Sequence, residues 1–168
     1  MKAIVLAAGI GQRLGSKEVP KPMIEINGKP ILEHNILLLK KHDVTDICIN
    51  LHYLPDLIKN HFQDGSKWGV KISYSFEEEL LGTSGAVKNI EQFWDDKPFF
   101  VVYGDNFTDV NLADMYDFHA TDNSIGTIAL FDPKISPNSG IAGGVVTMDQ
   151  HNKINSFIEG QKMILLGM

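Results

Sequence analysis

The sequence predicts an α/β fold, a mostly parallel sheet with helices on both faces. Three observations lead there. Short continuous apolar runs recur at "KAIVLAA", "DICIN", "VKISYS", "FFVVYG" and "IGTIAL", as expected of strands buried on both faces. Segments with helical spacing separate most of these runs, and that alternation builds right-handed βαβ units. The chain has 168 residues and 43% apolar content, enough for one ordinary domain with a sizeable core.

In order, "KAIVLAA" is the first strand and breaks into a glycine-containing turn. "PILEHNILLLKKH" is a helix with Pro30 where the first turn tolerates it, and Ile31, Ile36, Leu37 and Leu38 interleaved with polar residues. "DICIN" follows as a strand. Its Cys48 is the single cysteine; it cannot form an internal disulfide and reads as a buried thiol, so a cytoplasmic location is expected. "LPDLIKNHFQD" is a second, weaker helix, and "SGAVKNIEQFW" a third with Thr83 and Ser84 as cap candidates. "VNLADMYDFHA" is a fourth, capped by Asn111. Near the end, "GGVVTMDQHNKINSFIEG" reads as a hairpin around an Asp149 to Lys153 turn.

The net charge of -6 argues against nucleic acid as a partner, because phosphate-backbone binders carry basic surfaces. No run is long and apolar enough for a membrane helix, and the first one is followed by Gln12 and Arg13 instead of a cleavage region. No membrane partner is expected. Repeats and linker-like tracts are absent from the sequence.

Ligands of parallel α/β sheets collect beyond the carboxyl ends of the strands. That singles out the turns after "IVLAA", "YSF" and "VVYG". Gly9 and Gly11 permit positive φ and close approach of backbone N–H groups to an anion. Arg13 offers a bidentate fork, and Lys17 and Lys21 offer point charges. The Walker loop fails as a template because Gly15, Ser16, Lys17 stands in the wrong order, and the dinucleotide fingerprint fails because Leu14 occupies its third glycine. From the glycines alone, an anion cradle and an ordinary turn with solvated charges stay equally open. The "PKPM" stretch favours the cradle, since Pro20 and Pro22 stiffen the backbone around Lys21.

"LAAGIGQRLGSKEVPKPM" resembles the signature of the sugar-phosphate nucleotidyltransferases. "EINGKPILEHNI", "NLHYLPDLIKNHF", "ISYSFEEELLGTSGAVKNI" and "FFVVYGDNFTDVNLADMYDFH" resemble later blocks of that family in the same order. The branch most similar contains the mannose-1-phosphate guanylyltransferases. The resemblance implies a Rossmann-like fold of the nucleotide-diphospho-sugar transferase type, one domain over 1–168, with a nucleotide-binding core to about residue 110 and the start of a sugar-binding part after it. It implies a nucleoside triphosphate and a sugar 1-phosphate as substrates, and Mg²⁺ as cofactor. By the family pattern Leu6, Ala7, Ala8, Gly9 and Gly11 hold the nucleotide, Arg13 meets the leaving pyrophosphate, and Lys21 neutralises the reacting phosphates. Asp105, at the end of "FFVVYG", takes the metal. Glu77, Gly82 and Thr83 lie beside the nucleoside, while Asn106, Gly144 and Glu159 serve the sugar. Asp109 is expected to cap the following helix, and His52 to be a satisfied loop histidine.

The family usually follows that glutamate with Lys-Pro; here Glu159 is followed by Gly160 and Gln161, and Lys162 comes two places late. The fold is therefore expected to be C-terminally incomplete, and the apolar "MILLGM" ending makes a homo-oligomer conceivable. Three readings stay open: a nucleotidyltransferase impaired by truncation, a non-catalytic nucleotide- or nucleotide-sugar-binding module, and a cytidylyltransferase acting on a phosphorylated alcohol.

Overall fold

The computed structural model describes residues 1–9, 18–121, 124–132 and 144–158. The chain divides into two compact units, Met1–Asn123 and Ser124–Met168. In the first, β1 (Lys2–Leu6), β4 (Asp46–Leu51), β5 (Lys71–Phe76) and β6 (Phe99–Tyr103) form one parallel sheet in the order β5-β4-β1-β6. Between β1 and β4 come a small antiparallel pair, β2 (Glu25–Ile26) with β3 (Lys29–Pro30), and helix α1 (Ile31–Lys41). Helix α2 (Pro55–Phe62) joins β4 to β5, α3 (Gly82–Asn89) precedes β6, and α4 (Leu112–Thr121) follows it.

The sheet order explains the sequence pattern. Ala3, Val5, Ile47, Ile49 and Leu51 point to one face, where they cluster with Leu32, Ile36 and Leu39 of α1, Ile58 and Phe62 of α2, and Leu112 of α4. The alternate residues Ile4 and Cys48, on the other face, are buried as well. A strand covered on both faces has no polar position to offer until it ends, hence the unbroken apolar run at "AIVLAA". Burial pushes the Cys48 thiol above its ordinary value, a hydrogen bond with Ser73 opposing and the Asp46 charge adding to it. The thiol is a core group, not a nucleophile.

At the amino ends of the strands sit both tryptophans. Trp68 is buried just ahead of β5 and packs on Phe62, with ring centroids 5.0 Å apart. Trp94 stacks on Phe99 at 3.7 Å and donates from Nε1 to the Val87 carbonyl.

Two expectations are corrected in this unit. Thr83 and Ser84 do not cap α3; the helix already begins at Gly82, whose φ of +71° turns the chain into it, and its N-cap residue is Leu81. The helix of residues 112–121 is capped by Asn111, whose Oδ1 accepts from the Ala113 and Asp114 amides, so the cap falls to Asn111 and not to Asp109. Pro30 closes β3 and serves as the N-cap residue of α1.

In the second unit β7 (Val145–Met148) and β8 (Ile154–Ile158) form the antiparallel hairpin read from the sequence. Asp149 Oδ1 accepts from the His151 and Lys153 amides and fixes its turn. "IGTIAL" is not a strand: residues 124–132 contain no strand, and Ile125, Ile128 and Leu130 are exposed. Apolar, β-branched composition makes a strand only where a ladder partner and a packing face exist.

Candidate active site

The parallel register brings four chain segments to one edge. Leu6 lies opposite Asn50 on one side and Tyr103 on the other, and Leu51 opposite Phe76. The residues that follow these strands, Ala7 to Gly9, His52, Glu77 and Gly104 to Asp105, therefore line the carboxyl edge of the sheet. β1 leads to β4 on one side, whereas β6 returns to the other. The gap between β1 and β6 is thus the switch point where α/β sheets bind ligands.

Gly104 makes the junction there. Its amide donates to the Leu6 carbonyl at 2.8 Å, and a Cβ on it would stand 2.9 Å from that oxygen and 3.3 Å from Val5 Cγ1. Only glycine lets the end of β6 close on β1 in this way. Asp105 follows immediately. Its Oδ2 forms an ion pair and hydrogen bond with Lys21 Nζ, 84 residues away in sequence. Lys21 opens a short 3₁₀ helix, Lys21–Met23, with Pro20 as its cap at φ −65° and Pro22 buried beneath it. The Met23 amide donates to the Pro20 carbonyl at 2.8 Å. The two prolines thus hold the lysine at the switch point with little backbone freedom to lose.

A second polar group sits behind this pair. Asn50 and Glu77 are each only 3% exposed. Asn50 Oδ1 accepts from the Ala7 amide at 2.7 Å, and Asn50 Nδ2 donates to Glu77 Oε1 at 2.8 Å. The other carboxylate oxygen accepts from the Leu81 amide at 3.2 Å. His52 Nδ1 donates to the Glu77 carbonyl at 2.9 Å, the satisfied loop histidine expected. Thr83 Oγ1 shares a hydrogen bond with Tyr103 Oη at 3.2 Å, tying the start of α3 to the end of β6.

Leu6, Ala7, Ala8, Gly9, Lys21, Glu77, Gly82, Thr83, Asp105 and Asn106 therefore all belong to this one unit, and all but Asn106 take part in the edge just described or adjoin it. Asn106 is exposed, its amide bonded to the Tyr103 carbonyl. Three details differ from a plain list of ligand contacts. The Ala7 amide is already taken by Asn50. Glu77 faces inward with both oxygens engaged. Gly144 belongs to the other unit, where a Cβ would meet the Phe157 ring at 2.6 Å. Gly11, Arg13 and Glu159 lie outside the described residues. Sequence reasoning passed over Asn50, and the available signal was a single polar residue between the apolar Ile49 and Leu51 of a buried strand.

Residues 2–160 match the sequence profile of the nucleotidyl transferase family. The chain belongs to that family. It is 36% identical over 173 residues to a UTP–glucose-1-phosphate uridylyltransferase of Synechocystis sp., covering 95% of this chain and 44% of the relative. It is 34% identical over 164 residues to a mannose-1-phosphate guanyltransferase of Candida albicans, covering 95% and 45%. The same fold is seen in the crystal structure of HddC from Yersinia pseudotuberculosis complexed with GMP-PN, which matches with a TM-score of 0.74 at 25% identity over 96% of this chain and 70% of that one. The chain spans about half the length of the curated relatives it matches.

Proposed function

We propose that this chain carries the nucleotide half of a sugar-1-phosphate nucleotidyltransferase site. The reaction joins a sugar 1-phosphate to a nucleoside triphosphate. A phosphate oxygen of the sugar attacks the α-phosphorus, the bond to the β-phosphate breaks, and pyrophosphate leaves with the electron pair. No general base is needed, because the attacking phosphate is already ionised at neutral pH. What the site must supply is position and positive charge.

One observation carries the reading: Lys21 and Asp105 meet at the switch point, beside the turn after β1. The lysine suits the reacting phosphates, and the carboxylate suits a hard cation. Among the described residues no group of three or more His, Cys, Asp or Glu could hold a metal alone. Mg²⁺ is commonly held by one or two carboxylates together with substrate phosphates and water, a role open to Asp105 at the end of β6. Asp105 would hold it, and the ion would neutralise charge on the phosphates. Ala8, Gly9, Gly11, Gly82 and Thr83 are assigned to the nucleotide, Arg13 to the pyrophosphate, and Asn106, Gly144 and Glu159 to the sugar. A cytoplasmic location belongs to the same reading.

The names of the relatives include both a uridylyl and a guanylyl transfer, so the base is left to experiment. The test is pyrophosphate release over a matrix of four nucleoside triphosphates and several sugar 1-phosphates, with nucleotide binding measured by calorimetry in parallel. Turnover with one pair is expected. Binding with no turnover across the matrix would instead select the non-catalytic binding module, and turnover only with CTP and a phosphorylated alcohol would select the cytidylyltransferase.

A further inference from the structure

We infer that Asn50 is a positioning residue that locks the two nucleotide-facing turns, the one after β1 and the one before α3, into a single unit. The inference rests on the nucleotide site proposed above. Asn50 is the penultimate residue of β4 and lies between the two turns, bonded to Ala7 and Glu77. Its amide has one acceptor and one donor in use: Oδ1 takes the Ala7 N–H, 43 residues away, and Nδ2 gives to Glu77, 27 residues away. Glu77 passes the constraint on to the Leu81 amide, one residue before α3. Ala7 and Leu81 are thus the two ends of a chain of three hydrogen bonds whose middle members are buried.

Buried networks of this kind are worth having only when every member is satisfied. Here each hydrogen bond depends on the next. Without the Asn50 donor the Glu77 carboxylate loses its partner on that side, and without Glu77 the Leu81 amide and Asn50 Nδ2 are both left open. A displacement at one turn therefore reaches the other through polar contacts alone. The consequence for function is preorganisation: a nucleotide entering the edge meets both turns already fixed relative to each other.

The polarity of the middle bond gives the test. Asn50→Asp removes the donor and sets two carboxylates against each other. Glu77→Gln leaves one of its two bonds unmade whichever way the new amide turns. The double variant restores all three bonds with the middle one reversed and the charge unchanged. Amide exchange of the ligand-free full chain at pH 8, followed by NMR, should show Asn50→Asp accelerating exchange at Leu81 and Glu77→Gln accelerating it at Ala7. Each effect falls on an amide the mutated side chain does not touch, and about tenfold is expected. The double variant should return both rates to within about twofold of the parent. Calorimetry with Mg·GTP and Mg·UTP should show each single variant binding about tenfold more weakly and the double variant recovering. Effects confined to the mutated end, or losses that simply add in the double variant, would overturn the inference. Should the parent chain take up neither nucleotide, the proposed function fails on its own, and the exchange rates still decide whether the turns are locked together.

Discussion

Two polar pairs occupy the same edge of the sheet and differ in almost every physical respect. Lys21 and Asp105 carry opposite charges, with side chains 38% and 31% exposed. Asn50 and Glu77 carry one charge between them and are shut in at 3%. An open ion pair contributes about 0–1 kcal/mol to stability because water and salt screen it. A buried carboxylate is tolerated only when its oxygens are fully engaged. The open pair can therefore exchange its partners for a ligand, and the closed pair cannot. Chemistry belongs to the first and geometry to the second.

That contrast can be broken at several points. The largest effect expected is on turnover: Lys21→Ala and Asp105→Asn should each slow pyrophosphate release by about 10²-fold or more, while urea unfolding shifts by less than about 1 kcal/mol. Retained turnover in either variant would remove that residue from the reaction. Next, Asn50→Ala should lower the unfolding free energy by about 2–3 kcal/mol, since it strands the Ala7 amide and one Glu77 oxygen; a change below about 0.5 kcal/mol would show the closed pair to be as dispensable as a surface contact. Gly104→Ala should follow at about 1–3 kcal/mol, because its methyl group lands on the Leu6 carbonyl. It should also weaken nucleotide binding, because it displaces the turn that carries Asp105. The smallest effect is a control away from the edge. Burial pushes the Tyr74 hydroxyl up to about 12, with the Asp64 charge adding to it. Folding therefore favours the protonated phenol. Its contribution is whole below pH 10, the ordinary tyrosine value, and is lost as pH rises toward 12. Unfolding curves at pH 9 and pH 11.5 should converge slightly in Tyr74→Phe relative to the parent, with no change in nucleotide binding at pH 8.

Much of this was legible in the residues. The strands β1 and β4 announce themselves as "IVL" and "ICI" because a strand covered on both faces is apolar over its buried length, whereas β5 and β6 are half-exposed and are marked by their β-branched and aromatic residues. "IGTIAL" has the same composition and no strand, because what a ladder needs is a neighbour, and a neighbour is not written in the local sequence. Lys21 was visible through its flanking prolines, and Asp105 through its place after a glycine at a strand end. Their meeting was not, since 84 residues separate them and only the return of β6 to the side of β1 brings them together. Asn50 is the clearest loss. Its partners lie 43 and 27 residues away on opposite sides, so the local sequence shows a polar residue in an apolar run and not what it binds. The family pattern places Glu77 beside the nucleoside, and the bonds of its carboxylate to Asn50 and to the Leu81 amide are a feature that a family pattern does not spell out.

The placement of the two tryptophans has a practical consequence. Trp68 and Trp94 stand at the amino ends of β5 and β6, the length of the sheet away from Ala7, Glu77 and Asp105. Intrinsic fluorescence will therefore follow the unfolding of this chain faithfully and stay nearly silent when a nucleotide arrives. A tryptophan substituted for Tyr103, which already lies beside Thr83 at the carboxyl edge, would give the molecule an optical signal for occupancy that it does not now possess.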